Sequence, residues 1–246
     1  MMSKAYKIEA FDSLISTNDK MRSLLVEGKL KPGTVIMAHE QTGGKGQRGR
    51  QWLSEKGQNL LFSLFYKPKN MRAAEQFRLT QIISVAVCDA LKKYLVNTES
   101  KLSIKWPNDI YAGESKLGGI LIENAILGQN IQHSIIGVGI NVNQNKFSEN
   151  LPNPVSIYQL TKKKQAIKEI LVDILNSFYI NCIKDEKDLM SIYTKKLLWL
   201  NEFRDYLLRE KKIKAKIKGV DLWGRLELEY GDKTECFDHE SVDFLI

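Results

Sequence analysis

The sequence has few cysteines and histidines, and their spacing argues against both a metal site and a disulfide framework. Cys88, Cys182 and Cys236 lie far apart, and the three histidines are equally scattered. Zinc sites need closely spaced ligands, and disulfide-rich folds need an even set of cysteines. We therefore expect reduced thiols, no structural zinc and no hydrolase built on a local Cys-His or Ser-His motif.

Long apolar runs are also missing. The first residues, MMSKAYKIEAFDSL, contain no run of roughly seven or more apolar residues such as a signal peptide carries. No segment approaches the roughly 20 apolar residues that a helix needs to cross a bilayer. Hydrophobic residues make up 43% and charged residues 27% of the 246 residues, as in globular proteins. We expect a cytoplasmic protein with no membrane partner.

The charge is strongly positive. The formal net charge is +8, and the lysine runs at 162–164 and 209–218 carry much of it. An excess of positive charge favours a partner that carries phosphate, without identifying that partner. Such runs are more often solvated faces than binding sites.

The order of the predicted elements indicates an α+β fold followed by a small β-rich unit. Hydrophobic spacing predicts helices near 16–30, 72–96, 166–180 and 186–200. Strands are predicted at 7–14, 34–41, 59–66, 102–106, 110–126 (as a hairpin) and 131–143. From about 205, short alternating segments are separated by glycine turns. We therefore predict two domains, 1–202 and 203–246.

The segment GGKGQRGRQW, at 43–52, holds four glycines and three cationic side chains. Three of the glycines satisfy the pattern GxGxxG, but a strand rather than a helix follows them, so the dinucleotide-binding interpretation fails. No GK[ST] follows, which excludes a Walker A loop. A mobile surface hairpin, a nucleic-acid-binding patch and a phosphate-binding ligand loop remain possible for this segment considered alone.

Four further motifs lie around this loop in a specific order. They are STN at 16–18, KWPNDIY at 105–111, KLGGILIE at 116–123 and GVGINVN at 137–143. Together with the loop, they resemble the biotin protein ligases, also called biotin–acetyl-CoA-carboxylase ligases, from about Ala10 to Asn143. The resemblance implies a catalytic domain like that of class II aminoacyl-tRNA synthetases, with a mixed, mainly antiparallel sheet flanked by helices. It also implies a small C-terminal SH3-like β-barrel.

The resemblance implies a two-step reaction. Biotin and MgATP form biotinyl-5′-AMP and pyrophosphate, and a lysine of the biotin carboxyl carrier protein of acetyl-CoA carboxylase then takes the biotin. The first step brings a carboxylate against an α-phosphate, two anions that repel each other. Fixed positive charge, backbone N–H donors and magnesium solve this problem when they are preorganised around the developing charge.

The resemblance also implies catalytic residues. Lys116 matches the lysine that bridges the biotin carboxylate and the α-phosphate, although most lysines in hairpins are merely exposed. Asp109 is implied either in organising Mg²⁺ or in orienting the carrier lysine. With Asn108 after Pro107 it could equally form a structural turn. Arg50 is the loop arginine that best matches the family's phosphate contact.

Two sets of binding residues follow from the same resemblance. Residues that would bind biotin are Ser16, Thr17, Asn18, Gln41, Gly44, Lys45, Lys116 and Gly118. Residues that would bind ATP are Lys45, Arg48, Arg50, Trp52, Lys105, Asn108, Lys116 and Asn141. Trp52 would pack on adenine and Asn141 would hydrogen-bond the base. Ser16 and Thr17 could also cap the first helix, and the two functions are compatible.

The glycine loop departs from the family pattern at two positions. Lys45 replaces an arginine, which keeps the charge and loses the planar guanidinium. Gln47 is uncharged where the family has an arginine that helps to hold the adenylate. The missing arginine affects how tightly the adenylate intermediate is retained. Our hypothesis is that Arg48 or Lys45 compensates for its loss.

Some members of the family begin with a DNA-binding helix-turn-helix, and this sequence starts directly at the catalytic motifs. We expect the monofunctional class, with no sequence-specific DNA binding. Either a monomer or a homodimer is expected, with 131–143 as a possible edge of the sheet for pairing. The rival functions are a lipoate–protein ligase, which shares the fold, and a basic nucleic-acid-binding module.

Overall fold

The structure, a computed structural model, describes residues 6–96 and 98–246. Residues 1–5, which belong to the N-terminal segment without a signal-peptide run, lie outside the described residues. The first part of the fold contains β1 (Lys7–Leu14), α1 (Thr17–Val26), β2 (Thr34–Gln41), β3 (Leu60–Tyr66), α2 (Phe77–Leu91), β4 (Leu102–Lys105), β5 (Asp109–Ala112), β6 (Ser115–Leu127) and β7 (Asn130–Ile140). The second part contains α3 (Ile157–Thr161), α4 (Ile167–Cys182), α5 (Glu186–Lys195), β8 (Phe203–Leu208), β9 (Lys211–Val220), β10 (Leu226–Tyr230), β11 (Lys233–Phe237) and β12 (Val242–Phe244).

The larger sheet has seven strands in the order β1-β2-β3-β7-β6-β5-β4. β1 and β2 are parallel, and every other neighbouring pair in this sheet is antiparallel. Helices lie against the sheet, α1 beside β2, β3 and β7, and α2 and α4 packed together near β3 to β5. The predicted α+β fold with a mixed, mainly antiparallel sheet is confirmed.

β3 lies inside this sheet, between β2 and β7, and is covered on both faces. Its sequence LLFSLFY is buried from Leu60 to Phe65. Phe65 packs in the cluster on the α1 side of the sheet. Leu60, Phe62 and Leu64 pack in the main core, on the side of α2 and α4. A strand covered on both faces has no need of polar alternation. Ser63 is the polar residue within it, and its side chain faces the beginning of α1.

α1 and α4 begin and end close to the predicted positions, whereas α2 covers only Phe77–Leu91 of the predicted 72–96, with separate 3-10 turns at Ala73–Glu75 and Lys92–Tyr94. Ser16 caps α1, and Gly28 follows its end with a left-handed φ of +69°, as predicted. α5 ends at Lys195 instead of continuing to 200, because the chain there turns to pair with β4 at Ile104. The short helix α3 was not predicted, although the capping box Ser156 and Gln159 marks it. None of the helices in 6–96 and 98–246 is long and apolar enough to cross a membrane.

The second sheet is antiparallel, with the order β11-β10-β9-β8-β12. In β9, Ala215 and Ile217 are fully buried while the alternating Lys214, Lys216 and Lys218 lie on the other face, as strand alternation requires. The predicted small C-terminal β unit is therefore present. Its core is continuous with that of the larger sheet, since Tyr206 and Ile217 belong to the same buried cluster as Leu198. The division into domains 1–202 and 203–246 stays a prediction.

The expectation that 131–143 forms a sheet edge is wrong. β7 lies inside the sheet, hydrogen-bonded to β3 on one side and to β6 on the other. The strand that extends past its outer neighbour is β6, because β5 pairs only with its Ser115–Gly119 portion. The sequence indicated a long strand here, but strand order depends on pairings that the local pattern does not contain.

Candidate active site

A cavity of about 230 Å³ lies where the glycine loop, the ends of the central strands and the small sheet meet. Residues from all five sequence motifs line it. The predicted site residues in its wall are Ser16, Thr17, Asn18, Gln41, Lys45, Arg48, Arg50, Trp52, Lys105, Asn108, Asp109, Lys116 and Asn141. Segments more than 100 residues apart in sequence thus converge on one concave site, as binding and catalytic sites do.

The floor of the cavity is bare backbone covered by an indole ring. Gly119 of β6 pairs with Gly139 of β7, and the Trp52 ring lies over both. A Cβ atom on Gly139 would lie 2.7 Å from the Trp52 ring, and one on Gly119 would lie 3.3 Å from it. The indole Nε1 of Trp52 is buried, with no hydrogen-bond partner among the described residues. A buried donor without a partner is costly, so this group is suited to an acceptor on a ligand.

Lys116 and Asp109 form an ion pair inside the cavity. The Lys116 Nζ lies 2.7 Å from the Asp109 Oδ2, and both side chains are about three-quarters buried. They lie on neighbouring strands, β6 and β5, where the register shifts by one residue between Ile110 and Tyr111. The shift places both side chains on the face of the sheet that carries Gly119. A positive and a negative group are therefore held at contact distance beside the floor.

Lys105, at the end of β4, adds a second ammonium group to the same region. Its Nζ lies 5.8 Å from the ring centroid of Tyr111 and 5.3 Å from that of Phe244. Burial lowers the pKa of Lys105 below its usual value, and the positive charges of Lys116 and Arg50 act in the same direction, against the carboxylate of Asp109. The carboxylate of Asp243 acts with that of Asp109, so the cavity wall holds an excess of cationic side chains over two carboxylates.

The opposite end of the cavity is a network of neutral polar side chains at the beginning of α1. The backbone N–H and hydroxyl of Thr17 donate to Gln41 Oε1, at 2.7 and 3.0 Å. Ser63 donates to Thr17 Oγ1 at 2.7 Å and also contacts Asn18 Oδ1, whose amide donates to Glu123 Oε2 at 2.9 Å. The Gln41 NH2 group remains as a donor for a ligand. Ser63 and Glu123 were not predicted, although Ser63 is the polar interruption of an apolar strand.

The glycine loop is folded over the cavity and held at two points. The Lys45 Nζ lies 2.9 Å from Asp19 Oδ1 of α1, and the Arg48 guanidinium donates to the backbone carbonyl of His239. Arg48 has a left-handed φ of +55°, followed by Gly49 at +73°, and Gly46 N–H donates to Arg50 O at 2.7 Å. Arg50 makes no ion pair within the described part of the chain, so its charge faces the cavity uncommitted.

Two predicted glycines lie outside the cavity wall, which corrects the predicted biotin set. A Cβ atom on Gly118 would lie 2.5 Å from the Ile140 side chain, so Gly118 faces the core and Gly119 faces the cavity. Gly44 lies behind the loop, where a Cβ atom would be 2.6 Å from Trp52 O. Both glycines permit close backbone packing around the site without lining it.

Asn141 lines the cavity at the end of β7 and is also a structural residue. It is 5% exposed, and its amide nitrogen lies 3.1 Å from Val155 O and 3.5 Å from Lys116 O. Both amide hydrogens are thereby directed at the backbone. The side-chain oxygen of Asn141 remains as an acceptor.

Two segments of the cavity wall were not predicted. One lies after β7 and contributes Phe147, Leu151, Pro152 and Pro154; it is joined to β6 where Lys116 N–H donates to Asn153 O at 2.6 Å. The other belongs to the small sheet and contributes His239, Val242, Asp243 and Phe244. Trp106 joins the two sheets, since its Nε1 donates to Gly224 O at 2.8 Å. Pro152 and Pro154 are typical of a loop, but no local signal placed either segment at the site.

No group of three or more His, Cys, Asp or Glu side chains within 6–96 and 98–246 could hold a metal ion. The donor set of the cavity is instead two carboxylates, Asp109 and Asp243, beside cationic side chains. Mg²⁺ bound together with a nucleotide needs only one or two protein carboxylates, because phosphates and water supply the other ligands. The cavity therefore fits a magnesium ion that enters with a phosphate ligand.

Comparisons with known proteins agree with this geometry. The chain is 35% identical over 126 residues to the bifunctional ligase/repressor BirA of Escherichia coli (strain K12), and this match covers 51% of the chain and 38% of that protein. It is 26% identical over 223 residues to the biotin--[acetyl-CoA-carboxylase] ligase of Mycobacterium tuberculosis, covering 89% of the chain and 82% of that protein. The chain spans less than two thirds of the length of the first curated relatives that it matches.

Solved structures show the same relationship. The biotin protein ligase from Aquifex aeolicus in complex with biotin and ATP superposes with a TM-score of 0.79 at 28% identity, covering 96% of this chain and 97% of that one. The model of the Biotin/lipoate A/B protein ligase family matches residues 10–141, more than half of the chain. The chain belongs to the Biotin/lipoate A/B protein ligase family.

Proposed function

We propose that the protein is an ATP-dependent biotin protein ligase. It forms biotinyl-5′-AMP from biotin and MgATP and transfers the biotin to a lysine of the biotin carboxyl carrier protein of acetyl-CoA carboxylase. The observation that carries this proposal is the convergence of Lys116, Lys105 and Arg50 on a glycine floor beneath Trp52. The complex of the Aquifex aeolicus relative with biotin and ATP supports it.

The first step joins two anions, and the cationic end of the cavity is built for that task. Lys116 would lie between the carboxylate and the α-phosphate, with Arg50 and Lys105 on the phosphate side. Charges fixed before the reaction stabilise the transition state without the cost of reorganising water. Asp109, at 2.7 Å, would hold the Lys116 ammonium in place. Magnesium entering with ATP would neutralise the leaving pyrophosphate.

The neutral end of the cavity suits the ureido ring of biotin. A urea has one carbonyl acceptor and two N–H donors, and Gln41, Thr17 and Asn18 offer amide and hydroxyl groups of both kinds in a buried network. Leu121, two residues after Gly119 on the same face of β6, lines the cavity and would contact the apolar chain of biotin. The distance between the network and Lys116 would then be bridged by the acid itself.

The adenine would lie beside Trp52 and Asn141. The Trp52 ring offers an aromatic face, and its unpartnered Nε1 offers a donor. The side-chain oxygen of Asn141 is the acceptor that an exocyclic amino group requires. Asn108 would keep the floor rigid, since its amide donates to Ile120 O.

We also propose that residues 203–246 form a domain distinct from 1–202. Their five strands form a sheet of their own, which one isolated bridge, between Leu200 and Ile217, joins to the preceding segment. The boundary falls where Phe203 begins β8.

Exchange of labelled pyrophosphate into ATP tests the proposed function. Biotin should support exchange in the wild-type protein, and Lys116→Ala should abolish it. Lys56→Ala is the matched control, because Lys56 also pairs with a carboxylate at 2.7 Å, that of Asp12, on the surface. Exchange with lipoate alone would assign the chain to the other branch of its family. No exchange with either acid, combined with salt-sensitive RNA binding, would favour a nucleic-acid-binding module.

A further inference from the structure

Lys105 is a half-buried cation without a carboxylate partner. Within 6–96 and 98–246, its ammonium makes no ion pair, whereas Lys116 and Lys45 each contact an aspartate. A buried charge is costly unless something compensates for its lost hydration. What contacts Lys105 instead is aromatic: Tyr111 of β5 on one side and Phe244 of β12 on the other. The two rings come from different sheets.

Phe244 is itself held firmly. Its ring stacks on Trp199 with centroids 5.8 Å apart and meets the edge of Tyr206 at 5.2 Å. Its backbone is paired with Tyr206 in the small sheet. The face that Phe244 presents to Lys105 is therefore fixed by the packing of the small sheet.

We infer that Phe244 is a positioning residue for the proposed reaction, holding the Lys105 ammonium towards the phosphates of the nucleotide. An aromatic face attracts a cation without neutralising it. A carboxylate at the same place would hold Lys105 equally well, but it would cancel the charge and repel the phosphates. This inference rests on the proposed function, and it gives the small sheet a definite part in nucleotide binding.

The charged groups around Lys105 support this arrangement. They come from five segments besides β4 and are Asp109, Lys116, Arg50, Asp243 and His239. None of the carboxylates among them lies within ion-pair distance of Lys105 in the described residues. The Lys105 ammonium is thus placed by aromatic contacts and left free for an anion.

Phe244→Leu tests the inference against a matched control. Phe203→Leu removes an equivalent contact in the same small sheet, where the Lys216 ammonium lies 4.5 Å from an exposed Phe203 ring. In biotin-dependent pyrophosphate exchange, Phe244→Leu should raise the KM for ATP roughly tenfold and leave the KM for biotin within about twofold, given the strength of a partly desolvated cation–π contact. Phe244→Tyr should restore the wild-type value, and Phe203→Leu should leave both constants unchanged.

A double-mutant cycle separates positioning from general damage. In a Lys105→Met background, Phe244→Leu should add less than about twofold to the KM for ATP, because the two residues act through one contact. Full additivity would overturn the inference, as would equal losses for biotin and ATP. If the Phe244→Leu variant does not fold, the Phe244→Met variant, which keeps more of the apolar volume, takes its place in the double-mutant cycle.

The failure of this inference is distinguishable from that of the proposed function. The Kd of MgATP, measured by calorimetry on the full chain without biotin, tests Phe244 whether or not exchange occurs. Wild-type protein that binds ATP but shows no exchange would reject the proposed function and leave Phe244 testable. Equal ATP affinity in the wild type and in Phe244→Leu would reject the inference alone.

Discussion

The Trp52 ring occupies the space that a side chain at position 139 would need. A Cβ atom on Gly139 would lie 2.7 to 3.0 Å from three atoms of the indole, closer than non-bonded carbon atoms tolerate. The glycine therefore fixes where the indole can lie, and with it the shape of the nucleotide end of the cavity.

We predict that Gly139→Ala displaces Trp52 and weakens ATP binding by about tenfold or more, in line with the roughly 1–3 kcal/mol cost of overpacking. Gly219→Ala is the control, because the atom that its Cβ would meet first is the end of the flexible Glu227 side chain in the small sheet. Calorimetric titration with MgATP measures both variants. An unchanged Kd in Gly139→Ala would show that the indole does not define the nucleotide site.

The contact between Lys45 and Asp19 predicts a change in adenylate retention. Both side chains are partly exposed, so the ion pair is worth at most about 1 kcal/mol, and removing it should speed the release of biotinyl-5′-AMP by about threefold. Asp19→Asn removes the charge with little change in shape, and the release rate is measured by chase with unlabelled ligand. Glu27→Gln, which breaks an exposed pair with Lys29, should leave the rate unchanged.

Replacing Gln47 with arginine should have the opposite effect on the release of the adenylate. It lines the cavity between Lys45 and Arg48, and both of these cations already contact other parts of the protein. An arginine at this position would add a forked donor for phosphate. We expect Gln47→Arg to slow the release of the adenylate several-fold, whereas Gln51→Arg, just beyond the loop arginine, should change it less. Equal release rates in the wild type and Gln47→Arg would mean that Lys45 and Arg48 compensate fully.

The burial of His239 predicts an acid-sensitive stability. Burial, and then the nearby Arg48, lower the pKa of His239 to about 4 from its usual value near 6.5. Below pH 6.5 the unfolded chain binds a proton that the folded protein does not, so the free energy of unfolding falls between about pH 6.5 and 4 and is unaffected above that range. The Tm of the wild type should therefore fall more steeply over this range than that of His239→Gln. Parallel Tm curves would contradict this assignment.

Most of the predicted site residues line one cavity, but the finer geometry of that cavity could not be predicted from the sequence. Lys116, Asp109 and the glycine loop stand in the motifs that resemble those of the biotin protein ligases. Which of two adjacent glycines faces the cavity depends on the register shift between β5 and β6, and a shift of one residue exchanges the two faces of a strand. The family resemblance implied Gly118, and the pairing places Gly119 in the cavity wall.

The residues that distant elements contribute to the cavity wall could not be predicted from local sequence patterns, for a different reason. Phe244 reads as an ordinary apolar residue of a strand, and only its approach to Lys105 makes it part of the site. Phe147 also lines the cavity, and its loop contains no charged motif that would mark a binding segment. The position of β7 inside the sheet likewise follows from its pairing with β3, not from its own sequence.

The shared wall of the cavity has a consequence for how the protein folds. The wall joins Ser16, near the start of the described chain, to Phe244 in its last strand, so it contains some of the longest sequence separations in the molecule. Contacts between distant residues form late, since the entropy of closing long loops has to be overcome first. Helices and hairpins should therefore be in place before the cavity closes, and binding competence should lag behind secondary structure during refolding.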